Sequence, residues 1–147
     1  MGERVKPGDR SAYKVFRTID LRWSDNDIYG HMNNVVHYSM FDTAVNAFLI
    51  ENGALDIRGG SEVFLVVETG CRYHAEMAFP DRVTAGIRVA KLGNSSVRYE
   101  IGLFRNDEDI ASAEGFFVHV NVDRYSRRPV PFVGKARGVL EPLLTQP

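Results

Sequence analysis

A chain of 147 residues with 44% hydrophobic content is the size of one ordinary domain, able to bury a core without disulfide or metal staples. Its net charge of -1 excludes a broad basic field for nucleic acid or an anionic membrane. A single cysteine, Cys71, excludes an intrachain disulfide framework and a Cys-rich zinc cluster, and reads as a small buried hydrophobe in a reducing compartment.

The opening MGERVKPGDR has no apolar signal core, and no later segment is long enough to span a membrane, so a cytoplasmic protein is expected. There is no internal repeat and no interdomain linker. Residues 1 to 147 read as one domain with its core at about 15 to 132, the ends 1 to 12 and 144 to 147 being loosely held.

The first element is a strand over residues 15 to 23, where Val15, Ile19, Leu21 and Trp23 alternate with Thr18, Asp20 and Arg22. SDNDIYGHMNN follows at 24 to 34, a dense set of carboxylates, histidine and asparagines. From Asn34 to about Glu51, Val36, Met40, Ala44 and Phe48 repeat at helical spacing beside a second stripe of Phe41, Val45 and Leu49. Ser39, Asp42, Thr43 and Asn46 leave only a narrow polar strip, so this helix must be covered on most sides. Asn52-Gly53 ends it.

After a glycine-bearing loop, period-two segments recur at Val63/Leu65/Val67, Val83/Ala85/Ile87/Val89, Val97/Tyr99/Ile101/Leu103 and Phe116/Val118/Val120/Val122. Phe79-Pro80-Asp81 breaks the chain before the second of these. Gly93-Asn94 and RNDED (105 to 109) separate the last three as antiparallel hairpins would. RRPVPF ends the last strand, and 133 to 144 is read as a short terminal helix. The class is α+β, with a curved antiparallel sheet wrapped around one long central helix.

Strand, D-x-x-G-H-x-N-N loop, buried helix and four strands is the element order of the hotdog fold. The loop resembles the 4-hydroxybenzoyl-CoA thioesterase-like family of acyl-CoA thioesterases. The similarity runs from about Val15 to Pro131 and includes Asp25-Asn26-Asp27, Gly30-His31, Asn33-Asn34, His37-Tyr38, EVFLVVETGCRYHAEMAFPDRVTAG and HVNVDRYSRRPVP. The resemblance implies hydrolysis of a fatty or aromatic acyl-CoA thioester by a homodimer or homotetramer with active sites at the subunit interface. No cofactor is implied, coenzyme A being part of the substrate, and an acyl carrier protein thioester is the other possible partner.

On that resemblance the catalytic set is Asp27, Gly30, His31 and Asn34. Asp27 is the nucleophile or the general base on water, a choice left open. The Asn34 N–H, at the start of the helix, is the oxyanion donor; losing one such donor typically costs about 10²- to 10³-fold in turnover. His31 orients Asp27, touches the thioester or is held for structure, a choice also left open. Gly30 lets the loop turn sharply, and Asn33 fits an N-cap. Expected substrate contacts are Asp25, Tyr29 and Asn33 in the loop and Asn94, Ser95 and Ser96 in the turn between the third and fourth strands.

That turn, where relatives often carry basic residues, is neutral here, with only Lys91 and Arg98 nearby. Arg72, Arg124, Arg127 and Arg128 are other candidates for the phosphates. Asp42 on the helix is a rival base. Asp25, Asp27, His31 and His37 are not set at i, i+4 on one helix, so no metal site is expected. Two further readings stay open: a hotdog hydratase or dehydratase, against which stands the missing D-x-N-P-x-H pattern, and a non-catalytic acyl-CoA-binding module. Phe41, Phe48, Phe64 and Tyr73 are candidates for the acyl pocket or the core.

Overall fold

A computed structural model describes residues 4 to 145. The five strands are β1 (Val15–Asp20), β2 (Glu62–Tyr73), β3 (Arg82–Leu92), β4 (Ser96–Arg105) and β5 (Ala113–Asp123). They form one antiparallel sheet in the order β1-β3-β4-β5-β2. The helices are α1 (Val36–Glu51) and α2 (Lys135–Leu140).

The core lies where α1 meets the sheet. Met40, Phe41, Ala44, Val45 and Leu49 of α1 join Val83, Ala85, Ile87 and Val89 of β3 and Val97, Tyr99, Ile101 and Leu103 of β4. Alternation places the intervening β4 side chains, Arg98 and Glu100 among them, on the opposite face. Gly115 of β5 allows the close approach of α1: a Cβ there would lie 2.2 Å from Phe41 Cε2.

One long helix enclosed by the sheet is only part of what forms. Ser39, Asp42 and Thr43 remain exposed on α1, and the chain after residue 132 closes over the core with α2 and a 3₁₀ turn. Leu140 and Leu143 are buried in the same cluster as α1, so the core extends past 132.

Three other expectations change. The first strand stops at Asp20, because the Asp25 carboxylate accepts the Arg22 backbone N–H at 2.8 Å and folds Trp23–Asp25 into a 3₁₀ turn. Trp23 is left exposed as a result. In β2 and β5 the apolar stripes do not face α1. Leu65 and Val67 are exposed, and Phe117 and His119, not Phe116 and Val118, are buried. β2 is an edge strand with a bulge between Val66 and Glu68, and among the described residues no strand lies on its outer side.

The N-terminal segment, expected to be loose, is tied down over residues 8 to 12: Ala111 N–H donates to Gly8 O at 2.9 Å and Arg10 N–H to Asp109 O at 3.0 Å. Residues 1 to 3 and 146 to 147, in the ends expected to be loose, lie outside the described residues. Among the described residues no helix is long and apolar enough to cross a membrane.

Candidate active site at the start of α1

The loop between β1 and α1 is closed by its own backbone. Asp27 N–H donates to His31 O at 2.9 Å, and Gly30 N–H donates back to Asp27 O at 3.1 Å. The Asp27 carboxylate tightens the turn, Oδ1 accepting the Tyr29 N–H at 2.9 Å. Gly30 sits at φ +84°, left-handed backbone that a side chain would strain.

The segment after β2 holds this loop from outside. Met32 N–H donates to Met77 O at 2.6 Å, and Phe79 N–H to the Asn26 side chain at 3.0 Å. Residues separated by some fifty positions thereby become one wall.

α1 begins two residues later than the sequence suggests, at Val36. Asn33 is therefore not the N-cap, a place taken by Val35 without a side-chain bond; it turns the chain ahead of the helix instead, its side-chain oxygen accepting the Val35 N–H at 3.1 Å and its carbonyl the Val36 N–H at 3.0 Å. Among the described residues the Asn34 N–H meets no acceptor. The Asn34 carbonyl accepts the Tyr73 hydroxyl at 2.6 Å. Burial raises the Tyr73 pKa, assisted by Cys71 and Tyr38 beside it, so this hydroxyl keeps its proton and remains a donor.

A cleft of about 290 Å³ opens beside this turn, lined by His31, Asn34, His37, Tyr73, His74 and the 75–77 segment. His37 is buried, with its ring edge-on to Tyr73 at 4.6 Å and its Nδ1 without a hydrogen-bond partner. Burial lowers its pKa, the carbonyls of Asn34 and Asn33 offsetting part of the effect, so His37 is neutral at pH 7. Asp27 Oδ2 lies 3.6 Å from His31 Nδ1. The carboxylate is largely covered and is not itself on the cleft wall; His31 stands between.

Other candidates fall elsewhere. Asp25 is 4% exposed, and its carboxylate is occupied by the Arg22 backbone N–H and guanidinium. Burial alone would raise its pKa, but these Arg22 hydrogen bonds outweigh burial and hold it below the ordinary carboxylate value. It braces the loop and makes no wall of the cleft. Tyr29 is exposed at the rim, stacked on His31 at 6.2 Å.

Asn94, Ser95 and Ser96 line neither the cleft nor the larger cavity on the other face of the sheet. Their carbonyls are taken by the N–H groups of Phe132, Asn121 and Gly93, which tie the turn to the chain after β5, to β5 and to itself, and Asn94 stays exposed. Asp42 is exposed on α1 and accepts from Asn46 at 2.8 Å, outside any cleft. Arg124 donates to the Gly60 and Ile57 carbonyls, bracing the loop before β2. Cys71 packs against the core, and burial pushes its thiol up to about 11, so it is no nucleophile at neutral pH.

The sequence missed His74, Glu76 and Met77. They reach the cleft through the pairing of β2 with β5, which leaves no signal in local spacing. Among the described residues no group of three or more His, Cys, Asp or Glu side chains is placed to hold a metal ion.

The sequence model described as the thioesterase-like superfamily matches residues 21–138. The chain belongs to the thioesterase-like superfamily. Membership places it among thioester hydrolases.

The fold is also found in solved structures. The PA5185 protein from Pseudomonas aeruginosa strain PAO1 is 52% identical, with 95% of this chain and 97% of that one covered and a TM-score of 0.92. A Thermus thermophilus thioesterase complexed with coenzyme A and Zn is 29% identical, with 88% and 98% covered and a TM-score of 0.72. A putative thioesterase from Pseudomonas aeruginosa is 26% identical, with 86% and 96% covered and a TM-score of 0.77. No curated protein matches.

Proposed function

We propose that this thioesterase-like protein hydrolyses an acyl-CoA thioester to the free acid and coenzyme A, with Asp27 supplying the carboxylate and the first turn of α1 the oxyanion site. The observation that carries the reading is the loop closure. It sets Asp27 3.6 Å from His31, while His31 shares one cleft with Asn34, whose N–H has no acceptor among the described residues.

In this reaction the carbonyl carbon is attacked, directly by Asp27 to give a mixed anhydride or by a water molecule that Asp27 deprotonates. The developing oxyanion accepts a hydrogen bond from the Asn34 N–H at the positive end of the α1 dipole. The thiolate leaves and is protonated to free CoA; on the direct route a water molecule then hydrolyses the anhydride, releasing the free acid and restoring the Asp27 carboxylate. The coenzyme A bound by the Thermus relative supports the substrate class.

Because His31 and not Asp27 lies on the cleft wall, a second reading has His31 as the base with Asp27 orienting its ring. Turnover of an acyl-CoA panel by Asp27→Asn and His31→Gln separates them. Asp27 as the reacting group requires the aspartate change to be the more damaging, and the reverse order assigns the base to His31. Absence of CoA release by the wild-type protein from short, long and aromatic acyl-CoAs would remove the reaction altogether.

The reading includes a homodimer or homotetramer. β2 offers a twelve-residue edge with Leu65, Val66 and Val67 exposed, the kind of strand that a second copy covers. A monomer by light scattering would contradict it.

A further inference from the structure

A cavity of about 520 Å³ lies on the sheet face turned away from α1 and includes Lys6, Arg72, Arg88, Arg98, Glu100 and Glu114 in its wall. The N-terminal segment forms one side of it. Both carboxylates already have partners within the chain. Glu100 takes the Arg88 Nε at 2.8 Å, while Glu114 accepts the Gly8 N–H at 3.0 Å and the Tyr13 hydroxyl. Arg88 is committed as well, donating to Ala12 O at 3.0 Å with its guanidinium 4.6 Å above the Tyr13 ring.

The remaining cations are different. Among the described residues Lys6, Arg72 and Arg98 have no carboxylate within salt-bridge distance. The Arg98 guanidinium lies 4.0 Å over the Phe116 ring. Such stacking fixes the plane of the group and leaves its N–H fork free, the arrangement that recognises phosphate. A concavity of this volume is of small-molecule size.

The thioester cleft has the opposite character, with no Lys or Arg in its wall. The two concavities meet at the end of β2. His74, in the cleft wall, brings Nε2 within 3.3 Å of Glu114 Oε1, in the cavity wall.

We infer that the cavity containing Arg72 and Arg98 binds a phosphate-bearing ligand of nucleotide size. The inference rests on the thioesterase reading only in naming one source of that ligand, the nucleotide end of the acyl-CoA substrate. A separate nucleotide presents the same chemistry.

The probe is adenosine 3′,5′-bisphosphate, titrated calorimetrically into the full-length protein and into Arg72→Ala/Arg98→Ala. Hydrolysis of one acyl group as its CoA and as its pantetheine thioester is followed in parallel. The bisphosphate binds the wild type, and the double variant binds it at least about tenfold more weakly, the loss of two charge-assisted contacts. If the substrate's own nucleotide occupies the site, the bisphosphate competes with acyl-CoA, and the variant raises KM for acyl-CoA with that for acyl-pantetheine unchanged. If a separate nucleotide does, binding is lost in the variant with both KM values unchanged.

Arg72→Ala alone, at an exposed position, gives an intermediate loss and serves if the double variant does not fold. No binding by the wild type, or equal binding by the variants, overturns the proposal. So does a change of oligomeric state in the variants, which makes the surface a contact between copies. Arginine-dependent binding without hydrolysis of either thioester keeps this site and removes the thioesterase reading instead.

Discussion

The two concavities at the end of β2 differ in nearly every property that decides what a surface can do. The cleft beside α1 is lined by three histidines, a tyrosine and a backbone turn and holds no permanent positive charge. The cavity across the sheet has four cations, three of them unpaired among the described residues. Neighbouring residues of one strand supply both, Tyr73 to the first and Arg72 to the second. On the proposed roles, strand alternation divides proton transfer and bond polarisation from the holding of charge. Each side is open to disruption without the other.

The largest effect belongs to the cleft. Asp27→Asn keeps the shape of the side chain and the acceptor for the Tyr29 N–H while removing the negative charge, and kcat is expected to fall by about 10²- to 10⁴-fold. Adenosine bisphosphate affinity stays at the wild-type value. A change in that affinity would show that the two concavities act as one.

Acid acts on the α1 face through His119, whose Nδ1 is buried without a partner. Burial pushes its pKa down to about 4, below the value of about 6.5 expected in the unfolded chain. The unfolded state therefore binds the proton first. The associated stability is complete above about pH 6.5 and declines as pH falls toward 4, by about 3 kcal/mol at 1.36 kcal/mol per unit. Denaturant midpoints from pH 7.5 to 4 measure this, and His119→Phe flattens the profile. Parallel profiles for variant and wild type would locate the acid sensitivity elsewhere.

The same strand explains what the sequence could and could not reveal. β3 and β4 were readable because only one of their alternating faces is apolar throughout. In β5 the stripe Phe116/Val118/Val120 is more apolar than Phe117/His119/Asn121, yet the second set is buried. His119 is packed among the rings of Phe64, Tyr99 and Phe117, and the Asn121 side chain donates to Glu62 at 2.7 Å and to Val130 O at 3.1 Å. Polar residues satisfied or enclosed in this way defeat a hydrophobicity pattern. β2 misleads for another reason: its exposed valines lie on an open edge.

In the site, the loop from Asp27 to Asn34 could be read because its chemistry is contiguous. Tyr73 and His74 enter only through strand register. Asn94, Ser95 and Ser96 are expected at the substrate only by likeness to relatives, and they line neither of the two concavities.

A smaller effect is expected from Tyr73→Phe, which sharpens the contrast with Arg72 next to it. The change removes the 2.6 Å hydrogen bond to Asn34 O and retains the ring against His37. On the proposed mechanism Tyr73 positions the oxyanion turn, so its loss is expected to lower kcat by up to about tenfold with KM for acyl-CoA nearly constant. Arg72→Ala shows the reverse split if the substrate's own nucleotide occupies the cavity across the sheet. A Tyr73→Phe variant that lowers the melting temperature and leaves kcat untouched would make the tyrosine purely structural.

The smallest effect tests whether the turn itself matters. Asn33→Ala removes the side-chain acceptor for the Val35 N–H but leaves the backbone bond from Val36 N–H to Asn33 O in place. Loss of one such side-chain hydrogen bond costs about 1 kcal/mol of stability. If this turn also aims the Asn34 N–H, a kcat loss of a few fold accompanies the stability change, and Asn33→Asp, which keeps the acceptor, restores both. Because Asp also places a negative charge beside the oxyanion, recovery of stability without recovery of kcat would mean that the electrostatics of the turn, more than its orientation, set the rate on the α1 side of the sheet.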